Sequence, residues 1–237
     1  MEAVWTRFFP ITREILHLLH DRKVLGEIKR VWADFSLKVS SGRLFDPELG
    51  GGALLDLGIY PVTWAFLALY RPNDKAKPKV KANILMSETA GVDETTTISM
   101  TFENAKAVAT AETSLSARTA RPHCIVIQGD KVSSLLLSRT NFLVMMQGDL
   151  FVDGSCPRPQ AYTLALHGEE SQRKAFTFDG HGMFWEADAC ARAIRDRQLE
   201  VAECSLQETL DIGRVLDETR AQNGFLFPAP LEELVTQ

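Results

Sequence analysis

A succession of short period-two segments between residues 80 and 146 constrains the fold more than any other feature of this sequence. Stretches at 80–88, 95–103, 107–114, 123–128, 131–137 and 142–146 have the alternation and the Val, Ile, Thr and Phe content that strands favour. Glu103-Asn104-Ala105 and Gly129-Asp130 have the composition of hairpin turns. Hairpins in series make an antiparallel sheet. Residues 29–39 repeat the pattern upstream, with Val31, Ala33, Phe35, Leu37 and Val39 on one face and Arg30, Trp32, Asp34, Ser36 and Lys38 on the other. That is a half-buried strand.

Helical patterns flank these strands. The opening MEAVWTRFFP reads as a strand stopped by Pro10, after which Thr12 caps a helix with Ile11, Ile15, Leu18 and Leu19 on one side. Residues 182–197 carry an apolar stripe at Phe184, Ala187, Ala191 and Ile194. Ser205 and Glu208 form an S-x-x-E capping box that opens a last helix, ending at Asn223-Gly224. The sum is an α+β fold: an open, largely antiparallel sheet with helices mainly on one face, the other face left for a partner. With no repeat or linker in the sequence, residues 1–237 read as a single domain.

A net charge of -5 without a basic cluster argues against nucleic acid or an anionic membrane as partner. Small molecules and proteins remain. Cys124, Cys156, Cys190 and Cys204 form no CxxC pair and no short spacing to histidine, so neither a metal site nor a disulfide framework is signalled. No uninterrupted apolar run reaches the roughly 18 residues of a membrane span. A cytoplasmic protein is expected.

The run Gly50-Gly51-Gly52-Ala53-Leu54-Leu55-Asp56-Leu57-Gly58-Ile59-Tyr60-Pro61 sets one carboxylate and one phenol in apolar surroundings. On a helix beginning near Gly52, Asp56 and Tyr60 share a face, and Pro61 bends the helix because it cannot donate to the carbonyl of Leu57. Two readings stand: a pocket floor, or a core helix whose polar groups are satisfied internally.

Four spaced stretches, Glu2 to Pro10, Arg43 to Leu49, Gly50 to Pro61 and Gly182 to Asp188, together resemble the C-terminal half of the Gfo/Idh/MocA oxidoreductases. The nearest subgroup is that of the dimeric dihydrodiol dehydrogenases and NADP-dependent D-xylose dehydrogenases. The resemblance implies a C-terminal sheet domain that covers the nicotinamide and mediates dimerisation, beside an N-terminal Rossmann domain. It also implies that Asp56 and Tyr60 orient a substrate hydroxyl or carbonyl or exchange a proton with it. Trp5 and Arg7 would line the pocket, the alternative being a buried Trp and a surface salt bridge. Arg43 would contact substrate or tie its loop to Asp46, and Phe35 would form pocket wall or core. Among the histidines, His181 between two glycines is the candidate titrating group. His17 and His20 read as a solvated helix face.

The Rossmann glycine fingerprint and the family's Glu-Lys-Pro motif are both missing from this sequence. The main expectation is therefore a cofactor-independent, homodimeric enzyme: a truncated oxidoreductase scaffold turned to cyclase, isomerase or lyase chemistry through orientation and hydrogen bonding. The alternatives are a truncated NADP-dependent dehydrogenase and a non-catalytic dimerisation or ligand-binding module. A strand followed by G-x-G-x-x-G in the genomic sequence upstream of Met1 would decide for the dehydrogenase.

Overall fold

The computed structural model describes residues 2–71, 76–119, 123–131, 136–137, 143–144, 148–166 and 169–232. The main sheet contains β1 (Ile28–Ser36), β2 (Lys79–Met86), β3 (Asp93–Phe102), β4 (Ala107–Ser114), β5 (His123–Gly129), β8 (Asp149–Gly154), β9 (Pro159–Ala165) and β10 (Gln172–Ala175). Its order is β10-β9-β8-β5-β1-β4-β3-β2. Among the described residues only β1 and β4 pair in parallel, with Trp32 opposite Thr110 and Asp34 opposite Glu112. The short strands β6 (Leu136–Leu137) and β7 (Leu143–Val144) pair with each other outside this sheet. Most of the strand patterns expected at 131–137 and 142–146 fall outside the described residues.

The helices are α1 (Pro10–Leu16), α2 (Ile59–Leu69), α3 (Phe184–Arg195), α4 (Leu206–Gln222) and the short α5 (Ala229–Glu232). Helix α2 lies across β1, β4 and β5, while α1 touches β9 and α4 touches β2. From Pro61 to Leu69 every residue of α2 is buried, so it is apolar all round because it has no solvent face. The helical run Pro47–Leu69 contains a stretch with the length and hydropathy of a membrane span, yet 72% of that stretch is buried inside the protein. It is a core helix.

Four local expectations need correcting. The opening stretch is not a strand: Trp5–Phe8 is a 3-10 turn, and Pro10 starts α1 instead of ending an element. Its aromatic content reflects burial of Phe8 and Phe9 between helices. Thr12 caps nothing; it sits inside α1 and its hydroxyl donates to the carbonyl of Thr6 at 2.7 Å. Gly129-Asp130 is not a hairpin turn, because Asp130 and Lys131 run on to bond Glu27 and Leu25. Finally, β1 is not half-buried: Trp32, Asp34 and Ser36 are buried too, because on a central strand the side chains of β4 and β5 flank them on that face, although Arg30 there stays exposed.

The apolar stripe on α3 also lies where an amphipathic helix would not normally put it. Ala189 and Ala193 pack inward against Phe8, and their small size lets the helix sit close. Phe184, Ala187, Ala191 and Ile194 face outward. Helix α4 begins with half of the expected capping box: Ser205 Oγ accepts from the Glu208 N–H at 3.2 Å, while the Glu208 carboxylate pairs with Arg7 instead of turning back to Ser205.

The exposed edge of β2 is occupied by side chains from the end of α4. The Gln222 amide accepts from Ala82 N–H at 3.1 Å and donates to Val80 O at 2.9 Å, and Asn223 does the same for Ile84 N–H and Ala82 O at 3.1 and 3.2 Å. Two amides thereby satisfy alternate backbone groups along a strand that would otherwise be open.

Asp211 ties α4 to the end of α2. It accepts from Tyr70 Oη at 2.7 Å, Lys77 Nζ at 2.5 Å, Arg214 at 2.9 Å and Gln207 at 3.1 Å. Burial alone would raise its carboxyl, but the bonds from Lys77 and Tyr70 outweigh that and hold it below the ordinary carboxylate value. A carboxyl lowered by folding stabilises above its unfolded value, about 3.9, and the contribution is lost as pH falls through the folded value. Thermal melts should show Asp211→Asn less stable than wild type at neutral pH. The difference should shrink as pH falls through the folded carboxyl value; a constant difference would contradict this assignment.

Candidate functional site

The Arg43-to-Pro61 segment builds the site from three turns. Arg43–Phe45 and Pro47–Leu49 are 3-10 turns, and the chain folds back so that Gly52 N–H donates to Leu44 O at 2.9 Å. A Cβ on Gly51 would meet the carbonyl oxygens of Asp46 and Leu44 at 2.8 Å. Gly52 has φ +123°, and a Cβ there would lie 2.0 Å from Asp93 Oδ1. The glycines serve close backbone packing.

Asp93, at the start of β3, explains that second constraint. Its carboxylate is fully buried and accepts from Leu54 N–H at 2.7 Å and Thr96 Oγ1 at 3.1 Å, capping the helical segment from another strand. Burial pushes this carboxyl up, opposed by the bonds from Leu54, Thr96 and Ala53.

The segment that follows is π-helical over Leu54–Gly58 and becomes α-helical at Ile59. Pro61 has no N–H to offer the carbonyls of the preceding turn, which favours this widening. Asp56 lies in the wide turn and Tyr60 just beyond it. Trp5 Nε1–H donates to Tyr60 Oη at 3.2 Å, and the Phe35 ring meets the Tyr60 ring edge-on at 5.6 Å between centroids. Arg43 donates to Asp56 Oδ1 at 2.5 Å. Phe35 also walls a cleft of about 420 Å3 with Leu37, Val39, Thr119 and Ser155. Phe9, Phe178 and Trp185 stack behind Trp5.

Burial raises the Tyr60 phenol above its ordinary value, and the charges of Asp56, Glu186 and Glu2 add to this against the Trp5 hydrogen bond. Burial likewise raises Glu186, whose Oε2 has no partner among the described residues. The phenol is held protonated and ready to donate.

Trp5, Phe35, Arg43, Asp56 and Tyr60 therefore come together. Arg7 does not join them: only 2% exposed, it donates to Glu208 at 2.8 Å and to the carbonyl of Glu203 at 3.2 Å, locking the opening turn to α4. Its salt bridge is a buried one. Arg43 reaches Asp56, not Asp46, whose carboxylate instead accepts from Glu48 N–H. His181 is exposed and makes no hydrogen bond to a described residue. His17 is exposed and pairs with Asp21, whereas His20 is half-buried and bonds Leu67 O. Sequence reasoning alone does not single out Glu2, Asp93 or Glu186 as site residues. Glu2 and Glu186 belong to two of the motifs that carry the family resemblance, but Asp93 has no local signature.

The glycine-rich turn does not fit a dinucleotide. The N–H groups that would receive a phosphate at this helix start are taken by the carboxylate of Asp93, which would repel an anion. No strand–G-x-G-x-x-G–helix sequence occurs elsewhere.

An open sheet with a phenol and a carboxylate on its core helix makes an α+β domain whose glycine-rich turn is not a nucleotide cradle. Residues 15–134 match the GFO/IDH/MocA C-terminal domain, and the chain belongs to that family. It is 34% identical over 262 residues to the D-xylose 1-dehydrogenase (NADP(+)) of Hypocrea jecorina, covering 100% of this chain and 61% of that protein. It is 29% identical to the trans-1,2-dihydrobenzene-1,2-diol dehydrogenase of Xenopus laevis, covering 96% of this chain and 64% of that enzyme. Among solved structures, a 3-ketoreductase from Actinomadura kijaniata in complex with NADP and TDP-benzene superposes with TM-score 0.71 at 18% identity, covering 94% of this chain and 62% of that one. The chain thus spans somewhat over three fifths of the relatives it matches.

These relatives overturn the expectation of a cofactor-independent cyclase, isomerase or lyase. They are redox enzymes, two of them named for oxidation of a sugar or a dihydrodiol. The missing glycine fingerprint suggests a change of chemistry when the sequence is read alone, whereas the relatives favour the alternative, a truncated NADP-dependent dehydrogenase.

Proposed function

We propose that residues 1–237 form the single substrate domain of an NADP-dependent dehydrogenase acting on a small polyhydroxylated molecule such as a sugar or a dihydrodiol. The observation that carries this reading is the Trp5–Tyr60–Asp56–Arg43 arrangement. Trp5 N–H occupies one lone pair of the phenol oxygen and leaves its O–H to reach a substrate oxygen. Because the phenol stays protonated at neutral pH, it donates its proton to an oxygen gaining charge as a carbonyl is reduced and is left as the phenolate; in reverse that phenolate takes the hydroxyl proton. Arg43 fixes Asp56 through Oδ1, leaving Oδ2 to accept from a second substrate hydroxyl.

With its glycine-rich turn closed by Asp93, the described part of the chain offers a dinucleotide no cradle, so the nucleotide would be bound by protein outside it. The free cysteines suit a cytoplasmic setting. A second copy is expected to pair across the open sheet face, where Trp32, Val126 and Phe151 line a shallow hollow of about 570 Å3.

The test couples residues 1–237 to a dinucleotide-binding domain and follows NADP+ reduction by absorbance with D-xylose, other sugars and dihydrodiols. Turnover with at least one of these is the expected result. Failure with all of them, by a folded protein that binds NADP+, overturns the reading.

A further inference from the structure

Among the described residues, the carboxyl of Glu186 is the polar group beside the Tyr60 phenol whose hydrogen bonding the fold leaves unfinished. Its Oε2 is turned inward and accepts from no donor, although the residue as a whole is only half-buried and open to a ligand. Asp56 is held by Arg43 and Tyr60 by Trp5. Buried polar atoms normally have a partner, and one left without costs about 1–3 kcal/mol. No bond of the fold fixes this carboxyl, so it can turn about its last bond and meet a donor brought by a ligand.

The position of Glu186 is nevertheless rigid. It lies in the first turn of α3, directly after Trp185. Trp185 meets Phe9 and Phe178 edge-on at 5.0 and 4.9 Å between centroids, Phe9 meets Trp5 at 5.5 Å, and Trp5 bonds Tyr60. A Cβ on Gly182 would stand 2.6 Å from the Phe9 ring, so α3 starts as close to this aromatic stack as a backbone can. The charges of Asp56, Glu186 and Glu2 all reach the phenol. Arg43 bonds Asp56 and Arg7 acts on Glu2, whereas burial alone acts on Glu186.

Three carboxyl groups around one phenol disfavour an anion and suit hydroxyl groups. A carboxyl oxygen accepts from a hydroxyl whether or not the group carries a proton. With Tyr60 on the reacting oxygen and Asp56 on a second hydroxyl, Glu186 is left for another. We propose that the Glu186 carboxyl accepts from a third substrate hydroxyl and makes the site selective for an uncharged sugar with three or more hydroxyl groups over a dihydrodiol with two. This rests on the dehydrogenase reading above, whose relatives are named for one substrate of each kind. A site built to bond a hydroxyl rejects the compound lacking it, because its own polar group then stays unpaired.

The experiment joins residues 1–237 to a dinucleotide-binding domain and measures KM and kcat at neutral pH with D-xylose and with a trans-dihydrodiol. Glu186→Ala should raise KM for D-xylose about tenfold, leave kcat nearly unchanged and leave the dihydrodiol constants as they are. Glu186→Gln keeps an acceptor oxygen in place and should recover most of the loss. Since the carboxyl bonds nothing in the fold, Glu186→Ala should melt within about 2 °C of wild type; a clearly lower melting point assigns Glu186 to the fold and overturns the proposal. An unchanged KM, an equal rise for both substrates, or a wild-type protein that oxidises dihydrodiols and no sugar also overturns it, while turnover upholds the dehydrogenase reading. If the wild-type protein turns over none of them, that reading fails and titration of the isolated chain with D-xylose, followed by tryptophan fluorescence, decides. Binding about tenfold weaker in Glu186→Ala supports the Glu186 contact, and equal or absent binding overturns it.

Discussion

Gly52→Ala should lower the melting temperature of this protein by about 10 °C. The backbone φ of +123° at Gly52 is one that side-chain-bearing residues rarely adopt, and holding one there costs on the order of 1–3 kcal/mol. The new Cβ would also stand 2.0 Å from Asp93 Oδ1, so the buried carboxylate must move and release Leu54 N–H. Overpacking of this kind adds about 1–3 kcal/mol, and for a chain of this size each kcal/mol shifts the melting point by roughly 2–4 °C. Gly213→Ala is the control. Gly213 lies inside α4, where an added methyl would find nothing within 4 Å, and its replacement should stabilise by roughly 0.5–1 kcal/mol. In an Asp93→Ala background the cost of Gly52→Ala should drop, because the atom struck is gone. Equal costs in both backgrounds would show that backbone strain alone is responsible.

Tyr60→Phe should reduce dehydrogenase turnover on the order of 100-fold when residues 1–237 are coupled to a dinucleotide-binding domain, the loss expected for one preorganised donor. Its effect on stability should be small by comparison, since only the bond from Trp5 is lost from the fold. Asp56→Asn keeps the shape and removes the charge. It loosens Arg43 and removes one of the charges that raise the phenol, so it should lower turnover and also move the pH dependence of kcat downward. His17→Ala, on an exposed helix face, should leave turnover unchanged and stability within about 0.5 kcal/mol. Full activity in both site variants would make the Asp56–Tyr60 pair core architecture.

The sheet was legible where its physics is local. The strands from 80 to 114 show the two-residue alternation, and their observed ends lie within two residues of expectation. The order of strands across the sheet was not legible, because the parallel pairing of β1 with β4 joins segments far apart in the chain. At the N-terminus, large apolar residues looked like a strand although their burial comes from tertiary packing around Phe8 and Phe9. Asp56 and Tyr60 stood out as polar groups in an apolar run. Arg7 could not be placed, since its partner Glu208 lies at the far end of the chain, and the capping of the site helix by Asp93 crosses between elements in the same way. The α3 stripe was read correctly as a pattern, while which side of the helix faces water depends on what else the helix meets.

The side-chain amides of Gln222 and Asn223 give the sheet a sealed border. Because they already occupy the hydrogen-bonding positions along β2, a passing extended chain finds no template there. Growth by adding strands is thus discouraged at this end. Such a domain meets other molecules through its faces and helices, so it can be joined to or parted from other domains without turning into a seed for fibrils.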